Sequence, residues 1–288
     1  MDMPSGMRII TNLDAIYAQR QMNITNSRIE KSMEKLSSGY RINHAADDAA
    51  GLAVSEKFRT QINGLEQAGK NVQDGISMIQ TAEGGLEELQ TMLHRMRVLG
   101  LQAANETLTT SDRALIQLEV DQLLSEINRM QTSVNFNTKL LLNGTYALPG
   151  ATGSLVFHVG ANYNQTISVQ IQSFSTTGLN IASLATSKGC ALTSRAGANS
   201  AVALLSTAIN KVSSQRAVLG AFQNRLEHTY SFINISRENQ IASESRIRDT
   251  DMAAAMVNFT KDQILSQAGQ AMLTQANLKP QNVLQLFR

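Results

Sequence analysis

Apolar residues recur every seven positions towards both ends of this chain, and the middle lacks the repeat. Seven-residue spacing places side chains on one stripe of an α-helix, and such a stripe must be covered by another helix. The N-terminal half of the chain is therefore expected to be helical, followed by a short irregular middle and a helical C-terminal half that packs back against the first. The two main series are Val72, Ile79, Leu86 and Leu93, and then Leu205, Val212, Leu219, Leu226 and Ile233.

Helices alternate with only one stretch that looks like strand. The helical segments predicted from apolar spacing and cap residues are 11–37, 51–57, 63–105, 112–134, 200–236 and 251–278. Ser38-Gly39 is a helix stop, and residues 39–50 form a connector. Residues 155–159 and 166–171 are typical of a hairpin, whereas 173–198, rich in Ser, Thr, Gly and Ala, is expected to be mostly loop.

Composition limits the classes of partner. Aromatic residues make up only 5% of the chain and Trp is absent, which favours narrow helix–helix seams over a bulky globular core. The net charge is +2 and no basic run is interleaved with aromatics, so nucleic acid is not an expected partner. No apolar stretch reaches about 18 residues, so no membrane span is expected. The start of the chain lacks the pattern of a secretory signal.

No catalytic or metal-binding constellation is recognisable. The four histidines fall on different predicted elements, and Cys190 is the only cysteine. Asp47-Asp48 is the type of pair that acid–base catalysis uses, but connector carboxylates more often cap the following helix or pair with an arginine. We therefore expect no enzyme, no cofactor and no metal site.

Several long segments carry a specific resemblance to one family. Leu36–Lys57, Gln80–Asn105 and Phe157–Ile171 resemble, in order, the N-terminal signature, the next helix and the outer-core hairpin of bacterial flagellin. The segments that resemble its C-terminal half are 213–229, 242–256 and 264–288. These segments follow one another in the family's order, and the resemblance that they mark extends over about four-fifths of the chain.

The resemblance implies a fold and a domain division. The fold is mainly α, a long antiparallel helical bundle or coiled-coil rod with one β-hairpin, paired N- and C-terminal helices and no large outer domains. Residues 1–43 and 251–288 are expected to form an inner coiled-coil domain. Residues 44–250 are expected to form an outer core rod, with the hairpin near 155–171 and a variable loop at 173–199.

By the same resemblance, the chain is a structural subunit that self-assembles into the helical, hollow bacterial flagellar filament used for motility. The terminal stripes face no intrachain partner except each other, so we expect them to form the filament interface. The residues expected there are Ile16, Ile24, Leu36, Val257, Ile264, Ala271, Leu278 and Leu286. The alternative is a hook–filament junction adaptor of the same superfamily; the complete 242–253 segment and the 280–288 segment favour the filament subunit.

The resemblance also implies partners and a location. Export is expected to run through the flagellar type III apparatus, with an export chaperone, a filament cap and hook-associated proteins as partners. The product is expected to be secreted into an extracellular rather than a periplasmic filament. The family's site for a flagellin-sensing Toll-like receptor resembles the face around Leu93, Arg95 and Leu99, with Glu119 on the neighbouring helix.

The Ser/Thr-rich loop offers acceptors for O-glycosylation if it is the outermost part of the subunit. The candidate acceptors are Ser173, Ser175, Thr176, Thr177, Thr186, Ser187, Thr193 and Ser194. An intact mass equal to that of the unmodified chain would remove this hypothesis.

A first prediction concerns the C-terminal stripe. Ile264→Asp or Leu278→Asp should block polymerisation and leave the central bundle folded, because each places a charge in an interface that forms only on assembly. Electron microscopy measures the polymer, and circular dichroism checks the fold. Normal filaments from either variant would contradict the expectation.

Overall fold

The computed structural model describes residues 11–147, 153–185 and 192–286, with side chains described up to residue 279. Its helices confirm the mainly α prediction. They are α1 (Leu13–Ser38), α2 (Ala49–Ala103), α3 (Thr110–Ser133), α4 (Arg195–Arg248) and α5 (Met252–Leu286).

Two small antiparallel hairpins accompany the helices, where one was predicted. The strands are β1 (Asn135–Phe136), β2 (Lys139–Leu140), β3 (Leu155–His158) and β4 (Thr166–Val169). The β3–β4 pair is the predicted hairpin, with Leu155 opposite Val169. The β1–β2 pair was missed because two residues per strand are too few to show an alternating pattern.

Three predicted helices need corrected bounds. Residues 51–57 and 63–105 belong to one continuous helix, α2; α4 extends to Arg248 rather than ending near 236; and α5 extends to Leu286 rather than ending near 278. No proline interrupts residues 58–62 of α2 or the residues of α4 after 236, so each helix continues where its regular apolar spacing stops. The predicted stop at Ser38-Gly39 is confirmed: Gly39 has φ +75°, and its N–H donates to the Lys35 carbonyl.

The chain divides into two compact units. Unit 1 comprises residues 1–60 and 240–288, and unit 2 comprises residues 61–239. The core of unit 2 contains both heptad series that the sequence displays. All nine of their members are buried: Val72, Ile79, Leu86, Leu93, Leu205, Val212, Leu219, Leu226 and Ile233. The domain boundaries at 43/44 and 250/251 stay a prediction.

The segment predicted as loop contributes to the core of unit 2. Its large apolar residues that are buried, within the described range, are Phe174, Leu179, Ile181, Leu184 and Leu192. The side-chain amide of Gln117, on α3, hydrogen-bonds to both halves of this segment. It donates to the Leu184 carbonyl at 2.8 Å and accepts from the Leu192 N–H at 2.7 Å. Irregular backbone is therefore packed here, and it has no period by which sequence analysis could find it.

Adjacent glycines in α2 generate a paired prediction. A Cβ on Gly85 would lie 2.9 Å from the Val134 Cγ2 atom, whereas a Cβ on Gly84 would meet nothing within 4 Å. Gly85→Ala should therefore lower the free energy of unfolding by about 1–3 kcal/mol through overpacking. Gly84→Ala, the matched control, should raise it by up to about 1 kcal/mol through helix propensity. Urea unfolding measures both, and equal effects would contradict the packing at Val134.

Candidate assembly surface

Helices α1 and α5 of unit 1 pair with each other in antiparallel orientation. Near one end the Asn12 amide donates to the Ala276 carbonyl at 2.8 Å, and the Lys279 ammonium lies 2.8 Å from the Asp14 carboxylate. Further along, the Ser266 hydroxyl donates to Asn26 Oδ1 at 3.2 Å. The predicted pairing of the terminal helices is confirmed.

The seam between α1 and α5 is built mainly from small and polar residues. Its solvent-shielded residues follow alternating steps of three and four: Ala15, Ala18, Met22, Thr25, Ile29, Ser32 and Leu36 on α1, and Ala255, Phe259, Asp262, Ser266, Gly269, Leu273 and Ala276 on α5. Thr25 and Asp262 are buried there. Sequence reasoning missed this seam because it searched for large apolar residues; small residues at heptad spacing were the available signal.

Large apolar side chains of α5 lie on the opposite side from the seam. Val257 and Ile264 are 67% and 65% exposed, and Leu278 is also exposed. Each follows a seam residue by two positions, which at ~100° per residue turns it about 200° away from α1. Ala271 is exposed on the same line. Four of the predicted interface residues therefore form one uncovered stripe.

The remaining predicted interface residues divide into three groups. Ile16 and Ile24 are exposed on α1. Leu36 is half-buried and continues the line of seam residues, so its shielding already occurs within the chain. Leu286 is the last residue of α5, and its side chain lies beyond those described.

Helix α5 is nearly free of charge on every side. Between Met252 and Lys279 its charged residues are Lys261, Asp262 and Lys279 itself, and Asp262 is buried in the seam. Exposed Leu265 and Met272 flank the uncovered stripe. A large exposed apolar patch with so little charge around it marks an interaction surface.

Helix α1 combines apolar and basic residues on its outer face. Ile16 and Ile24 line a shallow groove there with Arg20, Arg28 and Lys31. The Arg20 guanidinium also lies over the Tyr17 ring, 5.4 Å from its centroid. The long aliphatic stems of arginine and lysine side chains cover apolar surface, while their charged ends reach solvent. The outer face of α1 is therefore both apolar and basic, whereas that of α5 carries an apolar stripe beside uncharged polar residues.

Contacts around Arg248 fix the chain between α4 and α5 against the connector after α1. The Arg248 guanidinium donates to Glu56 Oε1 at 2.9 Å and lies 4.8 Å from the centroid of the Tyr40 ring. Backbone bonds join Arg41 N to the Arg248 carbonyl and Thr250 N to the Gly39 carbonyl. The hydrogen bond from Arg248 holds the pKa of the Glu56 carboxyl below its ordinary value.

The predicted receptor face is divided between surface and core of unit 2. Arg95 donates to Glu119 Oε1 at 2.7 Å, and both side chains are exposed. This hydrogen bond raises the pKa of the Arg95 guanidinium. Leu93 and Leu99 are buried beneath them. Helices α2 and α3 carry further apolar residues that are exposed, namely Val98, Leu101, Leu115 and Leu118.

The candidate O-glycosylation sites differ widely in exposure. Thr176 is buried, and its hydroxyl donates to Asn128 Oδ1 at 3.0 Å. The half-buried candidates are Ser173, Ser175 and Thr193, and the exposed ones are Thr177 and Ser194. Thr186 and Ser187 lie outside the described residues.

The connector carboxylates have structural partners. Asp47 accepts hydrogen bonds from the N–H groups of His44 and Asn43, which lower the pKa of its carboxyl, and Asp48 accepts from the Gly51 N–H. In the part of the chain that the structure describes, no three His, Cys, Asp or Glu side chains come together as a metal site. Within the same residues, no helix is both long and apolar enough to cross a membrane.

Paired terminal helices with an uncovered apolar face define a helical protein whose packing is completed by a further partner. The bacterial flagellin N-terminal helical region matches residues 9–147, and the C-terminal helical region matches residues 202–287. This chain belongs to the bacterial flagellin family.

Individual relatives match along almost the whole chain. A flagellar filament core protein of Brachyspira hyodysenteriae is 49% identical over 286 residues, and a flagellin of Bacillus subtilis is 49% identical over 306 residues. Each match covers 98% of this chain and 100% of the relative. The crystal structure of Bacillus cereus flagellin is 30% identical, with a TM-score of 0.48 over 57% of this chain and 88% of that one.

The Glu56–Arg248 pair yields a titration prediction. Because the folded pKa of Glu56 lies below its ordinary value of 4.5, the pair stabilises unit 1 above that pH and stops doing so as pH falls through the folded pKa. Arg248→Met should raise the Glu56 pKa towards 4.5, as measured by carboxyl NMR titration. Glu66, whose pKa is lowered chiefly by Lys70, is the internal control. An unchanged Glu56 pKa would contradict the role of Arg248.

Proposed function

We propose that this chain is the structural subunit of a bacterial flagellar filament and that it self-assembles into a helical, hollow polymer used for motility. The observation that carries the proposal is the uncovered apolar stripe of α5, led by Val257 and Ile264. Family membership and the names of the relatives supply the kind of polymer. The role is structural rather than catalytic.

The division of packing between the two units supports assembly through the terminal helices. Unit 2 buries its heptad stripes within the single chain. The seam of the α1–α5 pair instead consists largely of Ala, Ser, Thr and Gly, and the pair leaves large apolar side chains such as Val257, Ile264 and Leu278 exposed. Since burial contributes roughly 25 cal/mol per Å² of apolar surface, covering these side chains by other copies supplies a driving force for polymerisation.

The geometry of the surface favours an open polymer. The basic, grooved face of α1 and the nearly uncharged face of α5 are different surfaces, so a contact between them is head-to-tail rather than self-complementary. Repeated head-to-tail contacts generate a helical filament when the rotation between copies does not close a ring.

The same surface accounts for the proposed partners. An exposed apolar stripe promotes premature association, so an export chaperone that covers the stripe keeps the subunit monomeric before assembly. Family membership supports the further proposals of export through the flagellar type III apparatus, growth beneath a filament cap and attachment to hook-associated proteins. On this proposal, the filament lies outside the cell.

The exposed Arg95–Glu119 pair supports the proposed recognition of released subunits by a flagellin-sensing Toll-like receptor. Arginine offers a fixed fork of donors for such a contact, and exposed Val98 lies on the same helix as Arg95. Leu93 and Leu99 are buried, so we propose that they pack the helices that carry this pair and do not contact the receptor. For O-glycosylation, exposure favours Thr177 and Ser194.

Seeded elongation tests the proposed function. Purified chain mixed with short filament fragments should extend them, and Val257→Asp should abolish extension because it places a charge on the uncovered stripe. Tyr163→Asp is the matched control: this side chain is 98% exposed in the β3–β4 turn, outside the terminal helices, and elongation should continue. Thermal unfolding should show equal stability of both variants.

Two results would contradict the proposal. Addition that stops after one layer of subunits on each seed would indicate a junction adaptor. Full elongation by Val257→Asp would show that the α5 stripe is not the assembly surface.

A further inference from the structure

The exposed methionines of this chain are concentrated on the terminal helices. Among the residues whose side chains are described, the exposed methionines are Met33 on α1 and Met252, Met256 and Met272 on α5. In unit 2, Met78 and Met96 are buried, and Met92 and Met130 are half-buried. The thioethers that an oxidant in water can reach most easily therefore lie on the two terminal helices.

The position of these methionines makes their chemistry relevant to polymerisation. Met256 immediately precedes Val257, and Met272 follows Ala271, so the two sulfurs flank the uncovered stripe. Met272 is 66% exposed, as much as Ile264 on the stripe itself. When other copies cover the stripe of α5, the residues that flank the stripe are expected to enter the same interface.

We infer that Met33, Met252, Met256 and Met272 form an oxidation-sensitive site at which hydroperoxides prevent the free subunit from assembling. The inference rests on the proposed function, because it needs these side chains to be covered by other copies. No residue of unit 2 takes part in it.

The reaction is a two-electron oxygen transfer. A lone pair of the thioether sulfur attacks one oxygen of hydrogen peroxide, the O–O bond breaks, and a sulfur–oxygen bond forms. Sulfur is oxidised, the peroxide is reduced, and the second oxygen leaves as water after proton transfer. The product, methionine sulfoxide, replaces a flexible apolar side chain with a polar one and is reversible by methionine sulfoxide reductases.

Assembly and oxidation should therefore oppose each other. A sulfoxide oxygen carried into the interface loses its hydrogen bonds to water, which disfavours addition of the oxidised subunit. Conversely, a subunit already in the filament has these sulfurs covered and reacts slowly. The device would keep damaged subunits out of a polymer whose existing members are protected.

The test compares oxidised and untreated chain in seeded elongation. Hydrogen peroxide treatment, with peptide mass spectrometry to locate sulfoxides, should modify the four exposed methionines before Met78 or Met96 and slow elongation by about tenfold or more. A variant with Met33→Leu, Met252→Leu, Met256→Leu and Met272→Leu should elongate seeds before and after treatment. The matched control, Met78→Leu with Met96→Leu, should remain sensitive.

The outcomes separate the inference from the proposed function. Failure of untreated wild-type chain to extend seeds would overturn the function itself. Normal elongation by oxidised wild-type chain would overturn only the inference. Recovery of elongation after treatment with methionine sulfoxide reductases would support it even if the four-leucine variant assembles poorly, and failure to recover would contradict it.

Discussion

The structure depends on the contrast between what α5 buries and what it leaves in water. Its contact with α1 uses small residues such as Ala255, Gly269 and Ala276, which allow two helices to approach closely but bury little apolar surface. Other large apolar side chains of α5, among them Val257 and Ile264, are exposed. Because a single partner helix covers only one side of α5, the apolar stripe on the opposite side stays uncovered within one chain.

This constraint explains why the two units are built so differently. Unit 2 has a continuous core of large aliphatic residues from helices, hairpin and irregular segment, and Gln117 ties that segment in with two hydrogen bonds. Unit 1 relies on polar contacts at defined points, such as Asn12 to Ala276 and Arg248 to Glu56. Polar contacts fix the register and orientation of helices. In unit 1, most of the free energy available from burying apolar surface is gained only when other copies cover it.

Sequence patterns predicted those parts of the fold that large periodic residues determine. The series from Val72 and from Leu205 located the core of unit 2, and Gly39 located the end of α1. Patterns failed where packing has no period, as at Phe174 and Leu192 in the segment predicted to be loop. They also failed where a helix continues beyond its apolar stripe, as α4 does after Ile233. For the candidate surface, Ile264 was found directly, but the seam of small residues that turns it outward was not.

The most direct test of the account is the accessibility of the α5 stripe before and after assembly. Ile264→Cys in a Cys190→Ser background should react readily with a maleimide in the free subunit and only slowly in the filament. Tyr163→Cys in the same background should react at comparable rates in both, since it lies in the exposed β3–β4 turn. Equal labelling of position 264 in free subunit and filament would contradict the central claim that assembly covers this stripe.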